Sequence, residues 1–209
     1  MGQKISVLLM ILIWSMSMSV FAVDQASQSE APVLVAEESE AEQAVRLRKE
    51  DVIFLQIGNY ATVSNGTLTW IDRQNQAVKP FIKDSRTVVP LRFITEEMGA
   101  TVTYDNLTRG ITIELGDTVM QLTVGEKSYS LNGTQYEMDC AAQVLEGRTF
   151  VPVRFVSVAL GRSVEWLNDE RIVVVTPADR TWVVDGEVEL AALAEVRLSL
   201  SPLGRNKIN

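Results

Sequence analysis

The chain has 209 residues, 46% of them hydrophobic, and a formal net charge of −8. It contains no histidine and one cysteine, Cys140. The usual general base, the commonest metal ligand, an internal disulfide and a multi-cysteine metal site are therefore all excluded, and the acidic balance argues against nucleic acid, which is bound through basic patches.

The N-terminus reads as a targeting segment. Lys4 precedes the apolar run ISVLLMILIW (5–14), and Val20-Phe21-Ala22 forms a small-x-small cleavage site. The competing reading is an uncleaved anchor, but the run is shorter than the about 20 residues a span needs and serines interrupt it after Trp14. A signal peptide over residues 1–22 implies a secreted chain with no stable membrane insertion after cleavage. Residues 23–50 are rich in Glu, Ala, Ser and Gln and lack aromatics, the composition of an acidic flexible linker that cannot bury enough apolar surface to offset its ordering entropy. Within it, residues 36–50 place acids before bases, as a helix dipole favours, yet a solvated spacer is the expected form.

The folded part begins near Asp51. Residues 52–71 contain two strand-like runs with turn signals at Gly58-Asn59 and Asn65-Gly66. Asn-Gly is a strong hairpin signal because both central residues of a type I′ turn need positive φ. Residues 119–138 repeat this arrangement, with Gly125 and Asn132-Gly133 in the matching places at an offset of 67. Residues 84–113 then recur as 146–175 at a constant offset of 62, with ten of 30 positions identical. A repeat of this length is one supersecondary unit used twice. The expected fold is α+β, with two tandem units over 51–115 and 116–176, each an antiparallel β-sheet packed on one short α-helix.

The motif at the centre of each unit contains Arg86, Pro90, Arg92 and Gly99, matched by Arg148, Pro152, Arg154 and Gly161. Proline suits a first helical position, Leu91, Ile94 and Met98 recur at helical spacing, and the glycines fall where a left-handed residue ends a helix. The arginines are expected to bond backbone carbonyls or a carboxylate of a neighbouring strand rather than form an anion site. Tyr104 and Trp166 alternate with Val102 and Val164 and are expected in the core. Trp70 and Trp182 lack that constraint and are the candidate exposed binding aromatics. Asn65, Asn106 and Asn132 open glycosylation sequons, two of which the turns already explain. Asp185, Glu187 and Glu189 lack the spacing of an EF-hand, and a hairpin turn at Asp185-Gly186 is expected. It either opens a partial third unit over 177–209 or completes the second, ahead of a terminal tail. Cys140 reads as a buried small apolar residue.

The doubled pattern R-T-x-V-P-L/V-R-F-I/V, then a short helix ending in Gly, then V-x-Y/W, resembles the copper amine oxidase-like N-terminal domain, the stalk domain of secreted and cell-wall proteins of Gram-positive bacteria. The resemblance covers roughly residues 52–176. It implies an antiparallel sheet wrapped on one helix and no amine oxidase chemistry, which in that family lies in a separate domain with copper-binding histidines. With no histidine here, no cofactor is expected, and copper is not carried over. A repeated unit also argues against catalysis, which needs one asymmetric constellation. The expected function is a non-catalytic, secreted cell-envelope binding or spacer module, with an envelope protein or neutral cell-wall glycan as partner. The alternative is an envelope hydrolase using Asp or Glu pairs.

Overall fold

The computed structural model describes residues 38–182 and 186–201; the expected signal peptide and most of the expected linker lie outside them. The first element is helix α1 (Glu40–Lys49). Ser39 caps it, accepting from the Glu42 amide, while the Glu42 carboxylate accepts from the Ser39 amide, a capping box. The same bonds, the Ser39 backbone first, hold the Glu42 carboxyl below its ordinary pKa. This part of the expected spacer is thus helical and docked, with Val45 buried in a core.

Fourteen strands follow, in three antiparallel sheets. The first repeat contributes β1 (Ile53–Gln56), β2 (Ala61–Ser64), β3 (Thr67–Trp70), β4 (Phe81–Lys83), β5 (Arg86–Pro90), helix α2 (Leu91–Glu97), β6 (Thr101–Asp105) and β7 (Gly110–Leu115). The second contributes β8 (Thr118–Thr123), β9 (Ser128–Leu131), β10 (Thr134–Glu137), β11 (Gln143–Leu145), β12 (Arg148–Pro152), helix α3 (Val153–Ala159), β13 (Arg162–Leu167) and β14 (Ile172–Pro177). The class is α+β and antiparallel, as the pattern predicts, but the sheets do not divide between the copies. The central sheet runs β11-β12-β5-β4, and the flanking sheets run β10-β9-β8-β7-β6 and β13-β14-β1-β2-β3. Every sheet contains strands of both copies.

The register shows why. At the centre Val89 pairs with Val151, flanked by Val88 with Pro152 and Pro90 with Phe150. Val89 and Val151 are the same position of the repeat, so a pseudo-two-fold axis passes through their pair. Exchanging the copies converts each flanking sheet into the other strand by strand. The pair Ile113↔Met120 becomes Val175↔Ile53, and Thr112↔Gln121 becomes Val174↔Phe54. The strands β7 and β8, joined by the turn at Gly116-Asp117, correspond to β14 and β1, which pair without a direct link. Helices α2 and α3 each pack across both central strands, β5 and β12. The resulting main core includes Leu55, Ile94, Ile113, Met120, Phe150 and Val156. Cys140 joins it, buried as expected, and burial raises its thiol pKa.

Both helices end as the glycines predict. Gly99 (φ 83°) and Gly161 (φ 72°) are left-handed, and at the first the Gly99 and Ala100 amides donate to the Glu96 and Thr95 carbonyls, a Schellman pairing. Pro90 and Pro152 differ from expectation by one step. Each is the N-cap, with extended backbone (φ −61° and −63°), rather than the first helical residue.

The C-terminal piece departs most from the sequence reading. Glu187–Leu200 is a helix, α4, with Gly186 as its N-cap, not a hairpin strand; Asp185 lies outside the described residues. The turn signal at Gly186 marks a helix start, and Ala192, Leu193, Val196 and Leu200 form a buried stripe at helical spacing. Helices α1 and α4 pack together and, with Trp182, bury the outer face of the β1-containing sheet, covering Phe54, Val63, Ile172 and Val174. Arg48 and Lys49 reach from α1 to Glu189 and Glu195 on α4. In the other flanking sheet the corresponding positions are Gln121, Ser130, Gly110 and Thr112, and that face has no helix over it among the described residues.

Two outcomes follow. Residues 38–116 and 117–201, produced separately, will each lack a folded circular-dichroism signature and recover it on mixing, since every sheet needs both; independent folding of either half would contradict the exchange. Leu193→Ala, outside both repeats, will cost about 2–5 kcal/mol in denaturant unfolding, the range for a large buried residue cut to Ala, whereas a frayed extension would show no change.

Candidate functional site

Two clefts open at opposite ends of the central β5–β12 pair. The larger encloses about 760 Å³ and is walled by the β3 end and following turn (Trp70–Gln74), the start of α2, strand β6, and the start of β12. The smaller encloses about 430 Å³. Every residue lining it except Glu165 is the repeat counterpart of a residue lining the larger one: Arg86 for Arg148, Asp139 for Asp72, Arg154 for Arg92, and Trp166 for Tyr104. The two are one site formed twice. The first is roomier because its copy carries five extra residues between Asp72 and β4, and Arg73 and Gln74 from that insertion line it.

The floor of each cleft is an ion pair between copies. Arg148 Nε donates to Asp72 Oδ2 at 2.6 Å and its guanidinium also donates to the Gly147 carbonyl at 3.3 Å. Arg86 does the same with Asp139 at 2.6 Å and the Ser85 carbonyl at 3.3 Å. The expected structural bonds therefore form at Arg86 and Arg148, but with aspartates of the other repeat. The two pairs differ in burial: the Asp72 side chain is 12% exposed and that of Asp139 51%. Burial pushes the Asp72 pKa up, but the Gln74 amide, the Arg148 side chain and the Asn75 amide outweigh it, and the carboxyl lies below its ordinary value.

Arg92 and Arg154 behave otherwise. Both sit exposed in the first turn of their helices. Arg92 lies 3.9 Å from Glu96, one turn on, and no carboxylate pairs with Arg154 among the described residues. Neither makes the strand contacts that the sequence reading assigns to it.

The aromatics exchange roles. Tyr104 and Trp166, expected in the core, are 36% and 39% exposed. They do alternate with Val102 and Val164, but β6 and β13 are edge strands, so the inner face runs out from under the core there and opens into the clefts. The Trp166 indole N–H donates to Asn168 at 3.3 Å. Trp182, expected to be exposed, is 2% exposed. It meets Phe54 edge-to-face at 4.8 Å, and the Arg48 guanidinium sits 5.0 Å over its ring. Trp70 is half-buried, stacks on Tyr60 at 5.0 Å and lines the larger cleft. The residues that sequence reasoning missed, Asp72 and Asp139, were legible only by continuing the offset of 67 past the hairpins.

The span from residue 71 to 175 matches the family described as the copper amine oxidase N-terminal domain. The chain belongs to this family. The matched span is half of the chain and contains both Arg–Asp pairs and both edge aromatics. No curated protein matches the chain. The chain lacks histidine, and no group of three or more Cys, Asp or Glu converges among the described residues. No helix among those residues is long and apolar enough to cross a membrane.

The unequal burial of the two pairs sets their stability effects. Arg86→Ala removes an exposed pair and will cost less than about 1 kcal/mol. Arg148→Ala leaves a shielded carboxylate short of a partner and will cost about 1–3 kcal/mol. Because the Asp72 pKa is lowered in the folded state, its stabilisation is present above the ordinary carboxylate pKa near 3.9 and lost as pH falls through the folded value. Asp72→Asn will therefore flatten the fall of melting temperature below about pH 4; an unchanged acid profile would remove Asp72 from this role.

Proposed function

We propose that the chain is a secreted, non-catalytic binding or spacer module of the cell envelope, working by the surface that its doubled domain presents. The observation that carries this reading is the duplication of the cleft about the pseudo-two-fold axis, since repetition multiplies a binding surface. Membership of a family described as an N-terminal domain of an oxidase supports it, as does the lack of histidine. Secretion rests on the apolar segment at 5–14, outside the described residues. The partner is an envelope protein or a neutral glycan of the wall.

The hydrolase alternative requires a protonated carboxyl facing an ionised one across a cleft. The larger cleft does not offer this. Asp72 is held ionised by Arg148, and Glu97 is engaged by the Ser64 hydroxyl. In the smaller cleft, burial raises the Glu165 pKa, but Glu165 alternates with Trp166 on β13 and so points to the opposite face of the sheet.

Retention of the mature chain on purified envelope material tests the reading. It will vary little between about 50 and 200 mM salt, because paired arginines release few counterions. Steep salt dependence abolished by Arg86→Ala or Arg148→Ala would make the arginines an anion site, and absence of retention would leave the module without its function.

A further inference from the structure

We infer that each cleft is a saccharide subsite, and that the two together hold two uncharged pyranose units of one repeating glycan. This deepens the binding-module reading and rests on it. Three observations favour a sugar. Each cleft carries an exposed aromatic at the end of an edge strand, Tyr104 or Trp166, with the less exposed Trp70 beside the first and Phe155 beside the second. The exposed ring has a negative face that attracts the polarised C–H bonds of a pyranose. Beside it lies an Arg–Asp pair whose members already neutralise one another. The guanidinium has five N–H donors and the carboxylate about four lone-pair sites, so each pair keeps spare donors and acceptors in a fixed array suited to neighbouring hydroxyls.

The charge balance points the same way in the larger cleft, where Arg73, Arg92 and Arg148 face Asp72, Glu96 and Glu97 and the sum is zero. In the smaller cleft Arg86 is neutralised by Asp139, and Arg154 stays exposed. The duplication adds the last argument. The clefts sit at the two ends of a pair of five-residue strands, roughly 17 Å apart at about 3.4 Å per residue. A ligand that fills both must present similar groups over such a distance, as a linear glycan does, with its chain direction opposed in the two clefts.

The full chain is titrated with neutral β-1,4-linked N-acetylglucosamine ligands, a short trimer and a long polymer kept soluble by hydroxyethylation, with polygalacturonate as the anionic control. Calorimetry counts trimers bound, and the tryptophan fluorescence change that Trp166→Ala removes reports the smaller cleft. Wild type will bind two trimers per chain. Tyr104→Ala and Trp166→Ala will each bind one, and will lose about 100-fold or more of their affinity for the polymer, the scale of an avidity gain. The double variant will bind none. Tyr104→Phe, which keeps the ring, will restore the second trimer, which a merely unfolded Tyr104→Ala protein also makes checkable by its melting temperature. Failure of wild type to bind any neutral oligomer, binding of a single trimer, preference for polygalacturonate, or full binding by the double variant would each overturn the inference. If the double variant is still retained on envelope material, the module reading stands and the glycan subsites fall; if wild type is not retained either, both fall.

Discussion

The pairing of Val89 with Val151 governs the architecture. A strand that pairs antiparallel with its own repeat at the equivalent residue creates a two-fold axis at that point. Everything attached to one strand must then be reproduced, rotated, on the other. The helices follow directly, because Pro90 and Pro152 leave the central sheet in opposite directions and each helix packs across both central strands. The flanking sheets follow next, since the strands after each helix meet the opening hairpin of the other copy. Both valines are fully buried, so the axis lies within the core, where packing tolerates little displacement.

Exchange also accounts for stability. A unit near 60 residues buries only about 60% of the surface its unfolded chain exposes and is marginal alone. Interleaving two copies converts what would be outer surfaces into one shared core, running from Leu55 on β1 to Phe150 on β12. The Arg–Asp pairs sit on the same seam. Their energetic value is modest, but their placement between copies fixes register, and it sets both clefts at the ends of the central strand pair.

Much of this was legible in the sequence at the level of elements. The Asn-Gly hairpins and the short helix closed by Gly99 or Gly161 follow from local chemistry, and both are present. The exchange was not legible, because two equal copies of a strand have equal affinity for a partner in either copy, and periodicity carries no label for which is chosen. Tyr104 and Trp166 show the same limit on a smaller scale. Alternation correctly places them on the face of Val102 and Val164, but it says nothing of whether the strand lies mid-sheet or at an edge. Trp182 and α4 were misread for a related reason. The burial of Trp182 depends on two helices from opposite ends of the sequence, and the turn signal at Gly186 serves a helix start as readily as a hairpin.

The difference between the copies has a physical logic of its own. Across the flanking sheet that contains β8, the outward row runs Thr103, Thr112, Gln121, Ser130 and Gln135, paired strand to strand. In the sheet that contains β1 the same row reads Glu165, Val174, Phe54, Val63 and Leu68. One sheet is patterned to face water and the other to be covered, and the segments that cover it, α1 and α4, flank the doubled domain in the chain. Their position is therefore dictated by which flanking sheet carries the apolar outward row. The apolar row needs a lid, the chain ends supply it, and Glu165, the one carboxyl left in that row, is pushed toward its protonated form by the burial that the lid imposes. The polar row and both clefts stay uncovered by α1 and α4, so the surfaces on which the proposed binding would rest are the ones its flanking helices avoid.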